Sequence, residues 1–230
     1  MRTAARVRIV SPTVPTRALW IFDLDGTLYR TASSFLPTMR RVFEEFGVPS
    51  PGDDAILSMV GETYSRFLEW LAPQGFPDDL ACLGERISEL EFASIRTHGE
   101  LFEGVEAGLR ELRDGGGAIA LCTNGDRRYA DFVLSTHGIA ASFDTLATND
   151  DDRRSKTEMV RGLLGQFRPT VAVVVGDRYH DVEAGNANGC ITVGAAYGYA
   201  RPGELDGATH VIDRFHDLLT IAERIGALSR

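Results

Sequence analysis

The sequence contains Leu19-Trp20-Ile21-Phe22-Asp23-Leu24-Asp25-Gly26-Thr27-Leu28, in which a run of bulky apolar residues ends in two aspartates and Gly-Thr. An apolar run this short, closed by glycine, is typical of a buried strand. In a parallel sheet, Asp23 would lie at the carboxyl end of that strand, where ligands bind in open α/β sheets. Side-chain alternation then places Asp23 and Asp25 on one side and Leu24 on the other.

The two neighbouring carboxylates require an explanation because they repel each other. A cation or a shared proton removes the repulsion, and a divalent cation also attracts phosphate. The alternative interpretation is a strand end with two solvated aspartates, since Asp-Gly is a common turn. The later part of the chain bears on this choice.

Polar residues also follow the later apolar runs. Strands and helices alternate from Phe102 onwards, which predicts an α/β fold with a doubly wound parallel sheet. The carboxyl ends of its strands would converge on one crevice. The polar residues expected there are Asp23, Asp25, Thr123, Lys156, Asp177 and Asp181.

Lys156 is the only lysine among 24 basic residues, and the other 23 are arginines. Arginine and lysine differ in shape and hydration, so a site that needs a compact ammonium does not accept arginine freely. The expected crevice thus combines carboxylates, a hydroxyl, turn amides and one ammonium. Carboxylates suit Mg²⁺, and the other groups suit phosphate oxygens. With a carboxylate as nucleophile, the natural reaction is phosphoryl transfer through an aspartyl-phosphate.

Four motifs in order resemble those of the haloacid dehalogenase superfamily. They are Asp23-Leu24-Asp25-Gly26-Thr27-Leu28, Leu121-Cys122-Thr123-Asn124-Gly125, Lys156, and Gly176-Asp177-Arg178-Tyr179-His180-Asp181. The resemblance extends from about residue 18 to the C-terminus. The stretch from Gly176 to Tyr199 is most similar to phosphoglycolate-phosphatase-like members. The resemblance implies an enzyme, a phosphatase of phosphoric monoesters, that acts on a small phosphorylated metabolite.

The resemblance also implies the role of each motif residue. Asp23 would attack phosphorus, and Asp25 would protonate the leaving oxygen and then deprotonate water. Mg²⁺ would be held by the Asp23 carboxylate, the Asp25 carbonyl, Asp177 and Asp181. Thr123, amides near Asn124, and Lys156 would bind the phosphoryl group. A helix cap at Asp181 and a turn hydroxyl at Thr123 are the structural alternatives.

Asp25 bears on the choice of reaction, because dehalogenase and phosphonate-hydrolase relatives have another residue two positions after the nucleophile. A sugar phosphomutase of the β-phosphoglucomutase type would keep both aspartates but carry a cap histidine where this chain has Phe35. A nucleotidase or pyrophosphatase remains a further alternative. A binding protein that lost the reaction is the least favoured, since no catalytic residue is missing.

Residues 31–100 show no strand-helix alternation and are predicted to be an all-α insert that resembles the C1 cap of the superfamily. The predicted divisions are an N-terminal extension at 1–17, an α/β core at 18–30 and 101–230, and the cap at 31–100. Arg30, Thr63, Tyr64 and Arg66 are candidates for substrate contact, and Arg66 is assigned as substrate-binding with Thr123, Asn124 and Lys156. For each cap candidate the alternative is a solvated helix-face residue.

The composition narrows the class of protein. The 230-residue chain has 43% apolar residues, enough for a core, and a formal net charge of −9, which disfavours nucleic acid and anionic membranes as partners. No apolar run is long enough to span a bilayer. Three scattered cysteines fit a reducing cytoplasm. No pattern in the sequence indicates an oligomeric state.

Overall fold

A computed structural model describes residues 16–76, 79–150 and 154–226. The expected N-terminal extension therefore lies outside the described residues, apart from residues 16 and 17. Six strands form one sheet in which every neighbouring pair is parallel, in the order β3-β2-β1-β4-β5-β6. The strands are β1 (Ala18–Phe22), β2 (Ala118–Cys122), β3 (Thr145–Ala147), β4 (Val171–Gly176), β5 (Ile191–Ala195) and β6 (His210–Ile212).

Nine α-helices occur in the described part of the chain. They are α1 (Ala32–Glu45), α2 (Asp53–Leu57), α3 (Tyr64–Leu71), α4 (Leu80–His98), α5 (Val105–Asp114), α6 (Arg127–Thr136), α7 (Lys156–Phe167), α8 (Tyr179–Ala187) and α9 (Asp217–Arg224). None of these helices is long and apolar enough to cross a membrane.

The sheet is covered on both faces, as the alternation of β1 shows. All five residues of β1 are buried. Trp20 and Phe22 pack in one apolar cluster with residues of α5, α6 and α9. Leu19 and Ile21 pack in a separate cluster with residues of α7 and α8. Since both faces are buried, β1 reads as a continuous apolar run. The predicted doubly wound α/β class is confirmed.

The helices α1 to α4 lie between β1 and β2 in the chain and have an apolar cluster of their own. Met39, Val42 and Phe43 of α1 are at its centre, and the rings of Phe43 and Phe76 are 5.0 Å apart. No strand lies between residues 31 and 100 among those that the structure describes. The division of the chain into core and cap at these boundaries stays a prediction.

Candidate active site

Asp23 directly follows β1, the strand between β2 and β4, and is only 3% exposed. Its backbone N–H donates to the carbonyl of Val175 at 2.9 Å, which continues the ladder between β1 and β4. The chain then turns at Gly26, whose φ of 78° is in the left-handed region. A Cβ at Gly26 would lie 2.1 Å from Oδ2 of Asp177, so only glycine lets this turn approach the end of β4.

Lys156 is the first residue of α7 and is buried beside the end of β1. Ser155 and Glu158 form a capping box that fixes the start of this helix. The Lys156 Nζ lies 2.8 Å from Oδ1 of Asp23 and 2.7 Å from Oδ1 of Asp181. Burial alone would lower the pKa of Lys156, but the charges of Asp181 and Asp23 outweigh it and raise that pKa above its ordinary value. Lys156 is therefore a permanent cation between two carboxylates.

Asp177 and Asp181 bring two more carboxylates to this point. Asp177 follows β4, and its Oδ2 accepts from the backbone N–H of Tyr199 at 2.6 Å. Asp181, in the first turn of α8, accepts at Oδ2 from the backbone N–H of Arg178 at 3.1 Å. Asp181 thus caps α8 with one oxygen, as in the structural alternative, and pairs with Lys156 through the other. A Cβ at Gly176 would lie 1.9 Å from Cγ of Asp181, which requires glycine there.

Asp23, Asp177 and Asp181 form a donor set that fits a metal ion. One carboxylate oxygen from each lies within 4.8 Å of the others. Oδ2 of Asp23 and Oδ1 of Asp177 are buried and accept no hydrogen bond from any described residue. Burial, with the charge of Asp181, raises the pKa of Asp23 to about 7 against the attraction of Lys156. Burial and the same neighbouring carboxylates raise the pKa of Asp177 well above its ordinary value. One ammonium does not balance three carboxylates, and a divalent oxygen-seeking cation would do so.

Asp25 lies beside this group and is held by two hydroxyls. Its Oδ1 accepts from Oγ1 of Thr31 at 2.7 Å and from the hydroxyl of Tyr129 at 2.6 Å. Burial raises the pKa of Asp25 even though these hydrogen bonds favour the carboxylate. A carboxyl group with a raised pKa and a fixed orientation is suited to proton transfer. Tyr129 and Thr31 were not predicted at the site, since neither residue has a motif signal in the sequence.

The turn after β2 places Thr123 and Asn124 next to the end of β1. Thr123 is buried, and its Oγ1 accepts from the backbone N–H of Gly125 at 3.1 Å, as expected for a turn hydroxyl. Its own hydrogen remains available to donate. The side-chain amide of Asn124 donates to the carbonyl of Gly61 at 2.9 Å, so it contacts the loop before α3.

The arginines expected to contact substrate lie elsewhere. Arg66 is exposed on α3 and pairs with Glu69 at 3.0 Å. Arg30 is exposed and pairs with Glu100 at 3.1 Å. The structure does not bring Arg66 together with Thr123, Asn124 and Lys156, and the solvated-face alternative describes its position.

Arg178 joins the core to the helical insert and was not identified from the sequence. It is 1% exposed and follows Asp177 directly. Its guanidinium donates to the carbonyl of Val60, to Glu62 at 3.1 Å and to Glu204 at 2.8 Å. The insert loop is thereby fixed next to the three carboxylates of the candidate metal site. No local signal could have shown its partner, since Glu62 is 116 residues away.

A cavity of about 870 Å³ lies between the helical insert and the ends of the strands. Its wall includes Asp25, Asn124 and Tyr129 of the core and residues of α1, α3 and α4, among them Phe35 and Glu91. Thr63 and Tyr64, two of the expected cap contacts, also line it. The volume is in the range of small-molecule sites.

Comparisons with known proteins show the family and the fold. The profile of the family described as Haloacid dehalogenase-like hydrolase matches residues 20–195. Tyrosine-protein kinase PtkA of Mycobacterium tuberculosis is 31% identical over 199 residues, which cover 82% of this chain and 65% of that protein. The chain thus spans less than two thirds of that relative's length.

Two further proteins are similar over most of their length. Phosphoglycolate phosphatase of Pectobacterium atrosepticum is 28% identical over 211 residues, covering 87% of this chain and 90% of that protein. A solved structure described as a predicted phosphoglycolate phosphatase, from Haemophilus somnus, superposes with a TM-score of 0.80 at 20% identity. It covers 92% of this chain and 100% of that one, and it shows the same fold.

Proposed function

The chain belongs to the haloacid dehalogenase-like hydrolases, and on this basis we propose that it is a Mg²⁺-dependent phosphatase of a small phosphomonoester, acting through an aspartyl-phosphate. The family resemblance inferred from the four motifs is confirmed. One observation carries the proposal: Asp23 is buried, Lys156 holds one of its oxygens, and its other oxygen accepts no hydrogen bond from any described residue. A carboxylate fixed in this way has a lone pair available for attack on phosphorus.

The residues proposed to hold Mg²⁺ are the carboxylates of Asp23, Asp177 and Asp181 and the backbone carbonyl of Asp25. Oxygen donors alone make up this set, which matches the preference of Mg²⁺. When bound, the ion would neutralise charge on the phosphoryl oxygens. The raised pKa values of Asp23 and Asp177 support the assignment, since a second cation would restore both groups to the ionised form.

The residues of the chain account for both halves of the reaction. Oδ2 of Asp23 attacks phosphorus, the bond from phosphorus to the alcohol oxygen breaks, and Asp25 gives its proton to that oxygen. Water then attacks the aspartyl-phosphate, Asp25 takes the proton from water, and the bond from phosphorus to Asp23 breaks to release inorganic phosphate. Tyr129 and Thr31 hold Asp25 in position for both transfers.

Lys156 and Thr123 are proposed to stabilise charge during the transfer. The Lys156 ammonium offsets the charge of Asp23 as phosphate approaches, and the Thr123 hydroxyl donates its remaining hydrogen to a phosphoryl oxygen. Both groups are buried and pre-positioned, so little reorganisation accompanies the reaction. Asn124 contributes through the backbone amides of its turn.

The cavity lining and the names of the relatives bear on the alternative functions. Phe35 takes the position of the cap histidine of β-phosphoglucomutase-type mutases, and it is buried in the cavity wall. Because a phenyl ring has no titratable group, it cannot transfer a proton there. Relatives named phosphoglycolate phosphatase make that compound the reference substrate for the class. The remaining alternatives are a nucleotidase, a pyrophosphatase and the kinase activity for which PtkA is named. Cytoplasmic location, expected from the three unpaired cysteines, is part of the same proposal.

The test is hydrolysis of p-nitrophenyl phosphate with Mg²⁺, with EDTA, and by the variant Asp23→Asn. We expect turnover with Mg²⁺ alone, and no turnover with the variant although its circular dichroism is unchanged. Asp131→Asn, which alters a half-buried aspartate paired with Arg127 on α6, is the matched control and should keep full activity. Turnover by the Asp23 variant would contradict the mechanism, and ATP-dependent phosphorylation of a protein without ester hydrolysis would favour the kinase alternative.

A further inference from the structure

We propose that the alcohol part of the substrate carries an ammonium group, which binds beside Glu91 in the cavity between the helical insert and the core. This inference rests on the phosphatase function proposed above and names the class of its substrate. The cavity includes Asp25, the proposed proton donor to the leaving oxygen, in its wall. The groups that line the rest of the cavity are therefore those that the alcohol part would meet.

The charge of the cavity wall is strongly unbalanced. Among the described residues that line it, seven are acidic and one, Arg128, is basic. The guanidinium of Arg128 lies over the ring of Phe92, 4.7 Å from its centroid. The acidic residues are Asp25, Glu62, Glu85, Glu89, Glu91, Asp126 and Asp150.

Five of these acids already have partners in the protein, among them Asp25, which accepts from two hydroxyls, and Asp126, which caps α6. Glu62 pairs with Arg178, and Glu89 pairs with Arg86 at 3.0 Å. Asp150 accepts from the backbone N–H of Arg127 and from Thr148. These acids are oriented by the fold and are not the ones assigned to a ligand.

Glu91 differs from them because it makes no hydrogen bond or ion pair with any residue that the structure describes. It lies on α4, borders the cavity, and is close enough to Asp25 and Asp126 to sense their charges. Burial, together with those two charges, raises the pKa of Glu91 to about 8. A cationic group bound at this wall would favour the ionised form of Glu91 and pair with its carboxylate, which has no other partner among the described residues.

Aromatic rings supply the second half of an ammonium site. Phe35, Phe67, Tyr64 and Tyr129 line the same cavity, whereas the ring of Phe92 is already covered by Arg128. The face of an aromatic ring attracts an ammonium group, and more strongly when the group is removed from water. Carboxylates and rings together favour a cation over a neutral alcohol of the same size.

The same wall disfavours an acidic alcohol part. Phosphoglycolate carries a carboxylate on the carbon next to the ester, so its alcohol part would enter a cavity that already holds an excess of negative charge. Like charges in a partly buried site oppose binding. This chain should therefore differ in substrate preference from the relatives named phosphoglycolate phosphatase.

Three two-carbon phosphomonoesters of nearly equal size isolate the charge of the alcohol part. They are phosphoethanolamine with an ammonium, 2-hydroxyethyl phosphate with a hydroxyl, and phosphoglycolate with a carboxylate. We expect kcat/KM to decrease in that order, with about tenfold or more between the first and the last, as for one favourable ionic contact. Binding of the same compounds to Asp23→Asn, measured by calorimetry, provides a readout that does not require turnover.

Glu91→Gln removes the proposed contact while keeping the size of the side chain. We expect it to lower kcat/KM for phosphoethanolamine about tenfold and to leave 2-hydroxyethyl phosphate within about twofold. Glu111→Gln is the control, since this exposed residue of α5 changes the net charge equally without lining the cavity.

The outcomes separate the two proposals. Hydrolysis of p-nitrophenyl phosphate with a preference for phosphoglycolate, or with no effect of Glu91→Gln on phosphoethanolamine, would overturn the ammonium inference and leave the phosphatase intact. Binding of phosphoethanolamine that depends on Glu91, without hydrolysis of any ester, would support the site and refute the phosphatase. Absence of phosphoethanolamine binding to Asp23→Asn would also overturn the inference.

Discussion

Replacing Lys156 with methionine removes the ammonium between Asp23 and Asp181 and keeps the length of the side chain. Both ion pairs are short, at 2.8 and 2.7 Å, and the side chains of all three residues are at most 6% exposed. Removing one partner of a buried pair costs about 3–5 kcal/mol, because the remaining charge has lost its compensation. Since about 1 kcal/mol corresponds to 2–4 °C in a chain of this size, the expected fall in Tm is about 6–20 °C.

The fall in Tm should depend on pH, and this dependence distinguishes the placement of Lys156 beside Asp23 from a general loss of stability. Above a pH of about 7, Asp23 of the wild-type protein is ionised and its attraction to the ammonium is largest, so losing that ammonium costs most there. At lower pH a proton on Asp23 replaces part of the lost charge, so the difference between variant and wild type should shrink. Thermal unfolding at pH 8 and pH 5, in EDTA, measures both values.

Arg110→Met is the matched control, since Arg110 pairs with Glu106 at 2.8 Å on the surface. An exposed pair contributes less than about 1 kcal/mol, so its Tm should change little. Lys156→Arg should in addition lose about tenfold in kcat/KM, because a planar guanidinium cannot occupy the position of the ammonium. A stable and fully active Lys156 variant would refute the placement of this ammonium in the site.

Two further predictions concern the carboxylates. In EDTA the free energy of unfolding should fall as pH rises from about 4 to about 7, by at most ~1.4 kcal/mol per pH unit for one group, because folded Asp23 holds its proton more tightly than unfolded aspartate. Urea titrations should show a shallower fall for Asp23→Asn, and equal slopes would contradict the raised pKa. Gly176→Ala should lower both Tm and phosphatase activity, since its Cβ would lie 1.9 Å from Cγ of Asp181. Calorimetry and a steady-state assay measure the two effects. An unchanged Tm and activity would contradict the close contact between residue 176 and Asp181.

The strands and their ends could be predicted from the sequence because the signals are local. A buried parallel strand is a short apolar run, and the residue that ends it is the next polar one. Asp23, Thr123 and Asp177 directly follow β1, β2 and β4. The parallel sheet then brings those ends to one edge, so the approach of Asp23 to Asp177 and Asp181 follows from fold class and chain order.

The contacts made by helices could not be predicted in the same way. Apolar periodicity indicates a helix and its buried face, but it does not indicate which neighbour a polar residue meets. Tyr129 reaches Asp25 across 104 residues, and Arg178 reaches Glu62 across 116. Arg66 was expected at the substrate from its residue type, whereas the packing of α3 leaves it in solvent beside Glu69.

The sequence by itself determined which edge of the sheet carries the candidate site, and only the tertiary structure decided what lies above that edge. Glu91 has no motif, and its place in the same cavity wall as Asp25 depends on how α4 packs against α1 and α6. Which side chains line the cavity is set by the angles and distances between packed helices. Those follow from the fit of many side chains at once, whereas a strand and its terminal aspartate are specified by ten consecutive residues.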